Sequence, residues 1–182
     1  MSGNSHPLEK MLEEYAAVYA DELKFIGLFR ELLRHPDAYE RTHLPGHITG
    51  SAFIVSEDWS QTLLVHHAKL NRWLQPGGHA DGDHHVERVA LREANEETGL
   101  KEITLVTPEI FDVDIHPIPA RKDFGAHDHY DVRFLYKASI NEKIVVSEES
   151  HDVKWVDLGK LEEYSFESSL LRMRDKFLAF KK

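Results

Sequence analysis

The feature that most constrains this chain is the run Arg92-Glu93-Ala94-Asn95-Glu96-Glu97-Thr98-Gly99-Leu100. It closes an amphipathic segment, Val86–Thr98, whose Val86, Val89, Ala90 and Ala94 recur at helical spacing and which stops at Gly99. On a helix, Glu93 and Glu97 stand one turn apart and Glu96 lies three residues from Glu93, so three carboxylates crowd one edge. A cation between them relieves the repulsion. Hard divalent cations prefer oxygen ligands, and Mg²⁺ usually keeps waters and engages substrate phosphates. Arg92 is spaced to pair with Glu96 at i,i+4. Taken alone, the run reads equally well as a solvated helix face. The segment in front of it alters that balance. Pro76-Gly77-Gly78, with Gly82 in the loop that follows, lets a backbone carbonyl approach a metal or backbone N–H groups approach phosphate.

Gly78 through Leu100 (GHADGDHHVERVALREANEETGL) resembles the Nudix box, G-x5-E-x7-R-E-U-x-E-E-x-G-U with U aliphatic. Gly78, Arg92, Glu93, Glu96, Glu97, Gly99 and Leu100 fall in register, Ala94 takes the first U position, and Pro76-Gly77 is the family's usual lead-in. One position departs: His84 stands where the first glutamate is expected. The resemblance implies an α+β fold, a Nudix-type α/β/α sandwich with a mixed β-sheet. It also implies a Mg²⁺-dependent (or Mn²⁺-dependent) hydrolase that cleaves a diphosphate linkage in a nucleoside diphosphate joined to another moiety, such as a nucleotide sugar or NTP. In that pattern Glu93, Glu96 and Glu97 hold the metal with the carbonyl of Gly78, and Arg92 belongs to the catalytic set. His84 occupies a supporting position, and a histidine there makes pH-sensitive activity an expectation. Members often recruit a further acid from outside the box. Glu149, ahead of the strand DVKWVDL, is chosen over Glu148 by its spacing from Trp155.

The remainder of the chain is organised around this segment. Residues 1–43 read as an N-terminal helical extension, two amphipathic helices with a break near Asp21 and a stop at His35-Pro36. Their apolar faces need a cover, either residues 44–182, the Nudix-like domain, or a second copy in a homodimer. Strands are expected at Ile48–Ser56, Gln61–His66, Ile103–Thr107, Glu109–Ile115, Tyr130–Ala138 and His151–Val156, with a closing helix at Phe166–Phe180.

Eight of the 13 histidines lie between His66 and His129. Strand alternation puts Asp112, Asp114 and His116 on one side, and gives His127, His129 and Asp131 a matching row. Three readings fit this stretch. Arg121, Lys122, His127 and Arg133 contact phosphates or an acidic leaving moiety; or His127, His129 and His116 bind a second metal; or the histidines are simply solvated. Asp123-Phe124-Gly125 has the make-up of a mobile lid, and Trp73 is either a base-stacking or a core residue.

A formal charge of −10 argues against a nucleic-acid-coating surface but not against small polyphosphates, since a bound metal reverses the local sign. No apolar run approaches the ~18–20 residues that span a bilayer, and the first residues lack a secretion signal, so a cytoplasmic protein is expected. The absence of cysteine excludes disulfides and a thiol nucleophile, and disfavours an isopentenyl diphosphate isomerase on this fold. The acidic charge disfavours removal of a 5′ diphosphate from RNA. Remaining alternatives are a diphosphate-acting enzyme with a non-nucleotide substrate and a ligand-sensing module without turnover.

Overall fold

The computed structural model describes residues 7–122 and 124–181. The chain opens with α1 (Pro7–Val18) and α2 (Leu23–Leu32), separated by a 3-10 turn at Ala20–Glu22, as the interrupted helical spacing predicts. Eight strands follow: β1 (Gly46–Ser56), β2 (Gln61–His67), β3 (Arg72–Leu74), β4 (Gly77–His79), β5 (Thr104–Leu105), β6 (Asp112–Ile118), β7 (His127–Ala138) and β8 (Ser150–Asp157). The helix α3 (Val86–Thr98) lies between β4 and β5, and α4 (Ser168–Phe180) closes the described chain after a 3-10 segment at Leu158–Glu163. The expected strand at Ile103–Thr107 shrinks to two residues, while β3 and β4 lie in a segment that shows only turn signals in the sequence.

All eight strands join one mixed sheet. β1 and β7 run parallel along the whole of β1, from Gly46↔Asp128 to Ser56↔Ala138. On its other edge β1 meets β4 antiparallel at Thr49–Ser51 and then β2 at Val55. β2 carries β3 and β8, and β7 carries β5 and β6. Changing partners along one edge opens a fork in the sheet beside Thr49–Ser51.

Both faces of the sheet are covered, so β1 is buried at every position. Alternation sorts its side chains between two cores. Ile48, Ala52 and Ile54 pack with Val132, Phe134 and Tyr136 of β7, with α3, and with Leu8, Leu12, Ile26 and Phe29 of α1 and α2. Phe53 and Val55 pack on the opposite side with Leu135, Leu170, Met173 and Phe177. The chain's own sheet therefore covers Leu8, Leu12, Ile26 and Phe29 of α1 and α2, while Val18, Leu23 and Leu28 stay exposed. Among the described residues no helix is long and apolar enough to cross a membrane.

Candidate active site

The box helix forms where its pattern predicts. Val86, Val89, Ala90 and Ala94 are buried against the sheet, and Gly99 caps α3 at φ 74°, a left-handed conformation that favours glycine. Seated this way, α3 turns Glu93, Glu96 and Glu97 toward the fork, where they line a cleft of about 830 Å³. β4 passes so close that a Cβ on Gly78 would sit 2.4 Å from the carboxyl carbon of Glu93. A side chain there would push the Glu93 carboxylate out of its place. The backbone N–H of Gly77 donates to Glu97 Oε1 at 3.2 Å. Glu149, in the loop before β8, lines the same cleft, whereas Glu148 is not part of its wall.

Among the described residues a single ion pair, from Arg92, reaches these acids. Arg92 donates to Glu93 Oε1 at 2.9 Å and to the carbonyl of His79 at 2.8 Å, so its partner is Glu93 rather than the Glu96 that i,i+4 spacing suggests. Glu97 is 8% exposed. Burial, with the charges of Glu93, Glu149 and Glu96 adding to it, pushes its carboxyl up to about 8, against the pull of the Gly77 N–H. Burial also raises Glu93, with Arg92 resisting. Three carboxylates on one cleft wall, with buried Glu97 and half-buried Glu93 sharing a single arginine, fit a divalent cation, which would take oxygen ligands from Glu93, Glu96, Glu97 and the carbonyl of Gly78.

The opposite wall comes from β1, β6 and β7. On one face of the sheet His47, Thr49, Ser51 and Phe53 stand level with His129, Asp131, Arg133 and Leu135. The same row of β6 adds His116, Asp114 and Asp112 in antiparallel register. The face thus grades from imidazoles through charges to apolar side chains. α4 covers the apolar end, and the histidine end opens on the cleft. Burial drives His129 down to about 3, with His79 adding to the effect, and His79 down to about 4, with Arg41 adding.

The four expected substrate-binding residues separate here. Arg121 and His127 line the cleft, while Lys122 is exposed outside its wall. Arg133 is 2% exposed and bonded to Asp131 at 2.7 Å and Asp112 at 3.1 Å. That corrects the expectation for Arg133: register sets it opposite Asp112, beneath the apolar cover, so its guanidinium orders the acids under the wall. Of the residues assigned to a lid, Asp123 lies outside the described residues, while Phe124 lines the cleft and Arg121 and Phe124 close a tight turn. His84 stacks on Tyr39 at 4.2 Å and 12°. Trp73 stacks on His66 at 4.9 Å and meets Tyr164 edge-on, away from the cleft. Residues not singled out from the sequence include Arg41, held by Asp81, and Lys69, Thr49 and Ser51, which all line the cleft. The polar alternation His47-Thr49-Ser51 inside an otherwise apolar strand was a readable signal for part of this wall.

The Nudix domain model matches residues 45–177. The chain therefore belongs to the Nudix family. Among solved structures it is similar to the C. elegans Ap4A hydrolase binary complex, with a TM-score of 0.60 and 19% identity over 73% of this chain and 96% of that one. The MutT protein from Methanosarcina mazei Go1 aligns at 0.56 and 20% identity over 76% and 96% of the two chains. The E. coli dihydroneopterin triphosphate pyrophosphohydrolase aligns at 0.54 and 14% over 79% and 97%. At these identities the likeness speaks to the fold. No curated protein sequence matches the chain.

Proposed function

We propose that the protein is a Mg²⁺-dependent (or Mn²⁺-dependent) hydrolase of a diphosphate linkage in a nucleoside diphosphate derivative, such as a nucleotide sugar or an NTP. One observation carries this reading: Glu93, Glu96, Glu97 and Glu149 line one cleft, among the described residues only Arg92 is ion-paired to them, and burial holds Glu97 near 8. A bound divalent cation there would neutralise charge building on the phosphates and acidify a water. Glu93, Glu96, Glu97 and the Gly78 carbonyl hold it, and Arg92 fixes Glu93. Glu149 faces them across the cleft and takes the proton of the attacking water. Arg121 and His127 on the far wall, joined by Lys69, contact the substrate's anionic groups. The neighbours named for Ap4A hydrolysis and for pyrophosphohydrolysis of dihydroneopterin triphosphate support a phosphoanhydride as the bond broken.

The test is a substrate panel of nucleoside diphosphate sugars, dinucleoside polyphosphates, NTPs and simple diphosphates, with phosphatase-coupled detection of product. Turnover of at least one compound that requires Mg²⁺ or Mn²⁺ is expected. Metal-dependent binding without turnover of any compound would end the reading.

A further inference from the structure

Beside the glutamates, the cleft is lined by His127 and His129, and the buried His47 stands behind them. His47 from β1 and His127 and His129 from β7 gather where the parallel register sets His47 level with His129. Their ring centroids lie 4.9 Å (His47–His127), 5.0 Å (His47–His129) and 5.2 Å (His127–His129) apart. Each offers a ring nitrogen within 4.8 Å of the other two. Nδ1 of His127 lies 2.8 Å from the carbonyl of Gly125, and Nδ1 of His47 lies 3.3 Å from the carbonyl of His43. A carbonyl only accepts, so these contacts put the proton on Nδ1 and leave the Nε2 lone pairs free. Nε2 of the fully buried His47 has no hydrogen-bond partner, and neither has Nε2 of His129. Leaving such groups unsatisfied is costly, and a purely structural histidine is normally satisfied.

We propose that His47, His127 and His129 form a transition-metal site of the zinc class, separate from the glutamate site, with one coordination position open to the cleft. Imidazole nitrogens suit zinc, cobalt or nickel, whereas oxygen donors suit Mg²⁺. Three histidines with a free fourth position make the open type of zinc site, the type that accepts a water or a substrate oxygen. Metal–nitrogen bonds of about 2.0–2.1 Å put tetrahedral ligand atoms about 3.4 Å apart. The rings therefore close by about an ångström or so, within reach of the half-buried His127. The carbonyls of His43 and Gly125 already supply the outer hydrogen bonds that orient ligating histidines. Of the cleft-lining histidines, His79 stands next in line, its ring 5.0 Å from that of His129 and its backbone adjoining Gly78. An anionic oxygen of the substrate bound at the open position would lie in the same cleft as the glutamates. That use rests on the hydrolase reading; the metal site itself does not.

The decisive experiment titrates tag-free, chelator-treated full-length protein with Co²⁺ in millimolar Mg²⁺, which occupies the oxygen site. The chain has no cysteine, so any d–d absorption reports nitrogen and oxygen ligands. One tight equivalent of Co²⁺ with visible bands is expected. It should be weakened at least ~10-fold in His127→Ala and in His129→Gln, both checked by thermal melting, and retained in Glu97→Gln. The absence of a tight equivalent, or equal binding in two folded histidine variants, overturns the proposal. So does loss of the ion in Glu97→Gln alone, which would assign it to the glutamates. Failure of the hydrolase reading is visible separately, as absent Mg²⁺-dependent turnover with the Co²⁺ spectrum intact.

Discussion

The molecule contains two groups of acids, each with buried members, that are treated in opposite ways. Under the cleft wall, Asp112, Asp114 and Asp131 are met by Arg133, Arg172 and Lys176, with Arg172 on Asp112 at 2.8 Å and Lys176 on Asp112 at 2.6 Å. Thr49 and Ser51 add hydrogen bonds to Asp131. Lys176 also reaches Glu22 at 2.8 Å, which ties the N-terminal turn to α4. Although burial opposes it, the His116 contact and the charges of Arg133 and Arg172 hold Asp114 down to about 2. At the fork, Glu93, Glu96, Glu97 and Glu149 have Arg92 and a backbone N–H to share, and Glu97 moves the other way, up to about 8. Asp112, Asp131 and Glu97 are all buried. What separates the two groups is whether the chain supplies the counter-charge: Arg133, Arg172 and Lys176 do so for the aspartates, while the glutamates suit an ion from solution, in line with the function proposed above.

The sharpest way to break this contrast is to remove a counter-charge. Arg133→Met leaves Asp131 and its neighbours short of a cation in the interior, so a loss of about 3–5 kcal/mol is expected in urea denaturation. Unchanged stability would mean that the aspartates do not depend on their partners. Glu97→Gln is the counterpart experiment. It should lower kcat at least ~10²-fold, as loss of one electrostatic stabiliser does, while the metal-free protein melts no lower than the parent. A parental kcat would remove Glu97 from the site.

The two groups also make opposite predictions for pH. Glu97 has a folded pKa above its ordinary value of 4.5, so this group holds more protons folded than unfolded between 4.5 and about 8. His79 and His129, held down to about 4 and about 3, act the other way below their ordinary 6.5. The Glu97 contribution is therefore exposed above 6.5, where the stability of the metal-free protein falls as pH rises toward 8, and Mg²⁺ should cancel the fall. Asp114 is depressed from 3.8 to about 2, so its contribution is complete above 3.8 and is lost as pH falls toward 2. Melting temperatures followed from acid to alkaline pH, with and without Mg²⁺, should show both limbs, and Glu97→Gln should flatten the alkaline one alone. An alkaline limb that persists in that variant would tie it to another group. The smallest effect is expected at His84, which stacks on Tyr39 rather than lining the cleft. His84→Glu should retain or raise activity in steady-state assays; a collapse of kcat would give the histidine a role of its own.

Much of this was legible in the sequence because it is local. The span of α3 from Val86 to Thr98, its stop at Gly99 and the side-by-side placement of Glu93 and Glu97 follow from helical periodicity and one left-handed glycine. The alternation of His127, His129, Asp131 and Arg133 was likewise readable as one strand face. Alternation does not say what covers that face along its length, and α4 lies over one end of it only. The same row therefore begins as cleft lining at His127 and ends as buried structure at Arg133. Arg92 shows the same limit on a smaller scale: spacing offered Glu96, but β4 presents the His79 carbonyl, and the guanidinium turns to that carbonyl and Glu93.

By itself, then, the sequence determined the carboxylate edge and the glycines that let the backbone approach it, since both depend on residues a turn or a loop apart. Only the tertiary structure decided which acids are neutralised from within the chain and which are not. Only it brought His47 to His127 and His129. Pairing two parallel strands distant in sequence leaves no local signature, because the register is set by the packing of both sheet faces rather than by either strand alone.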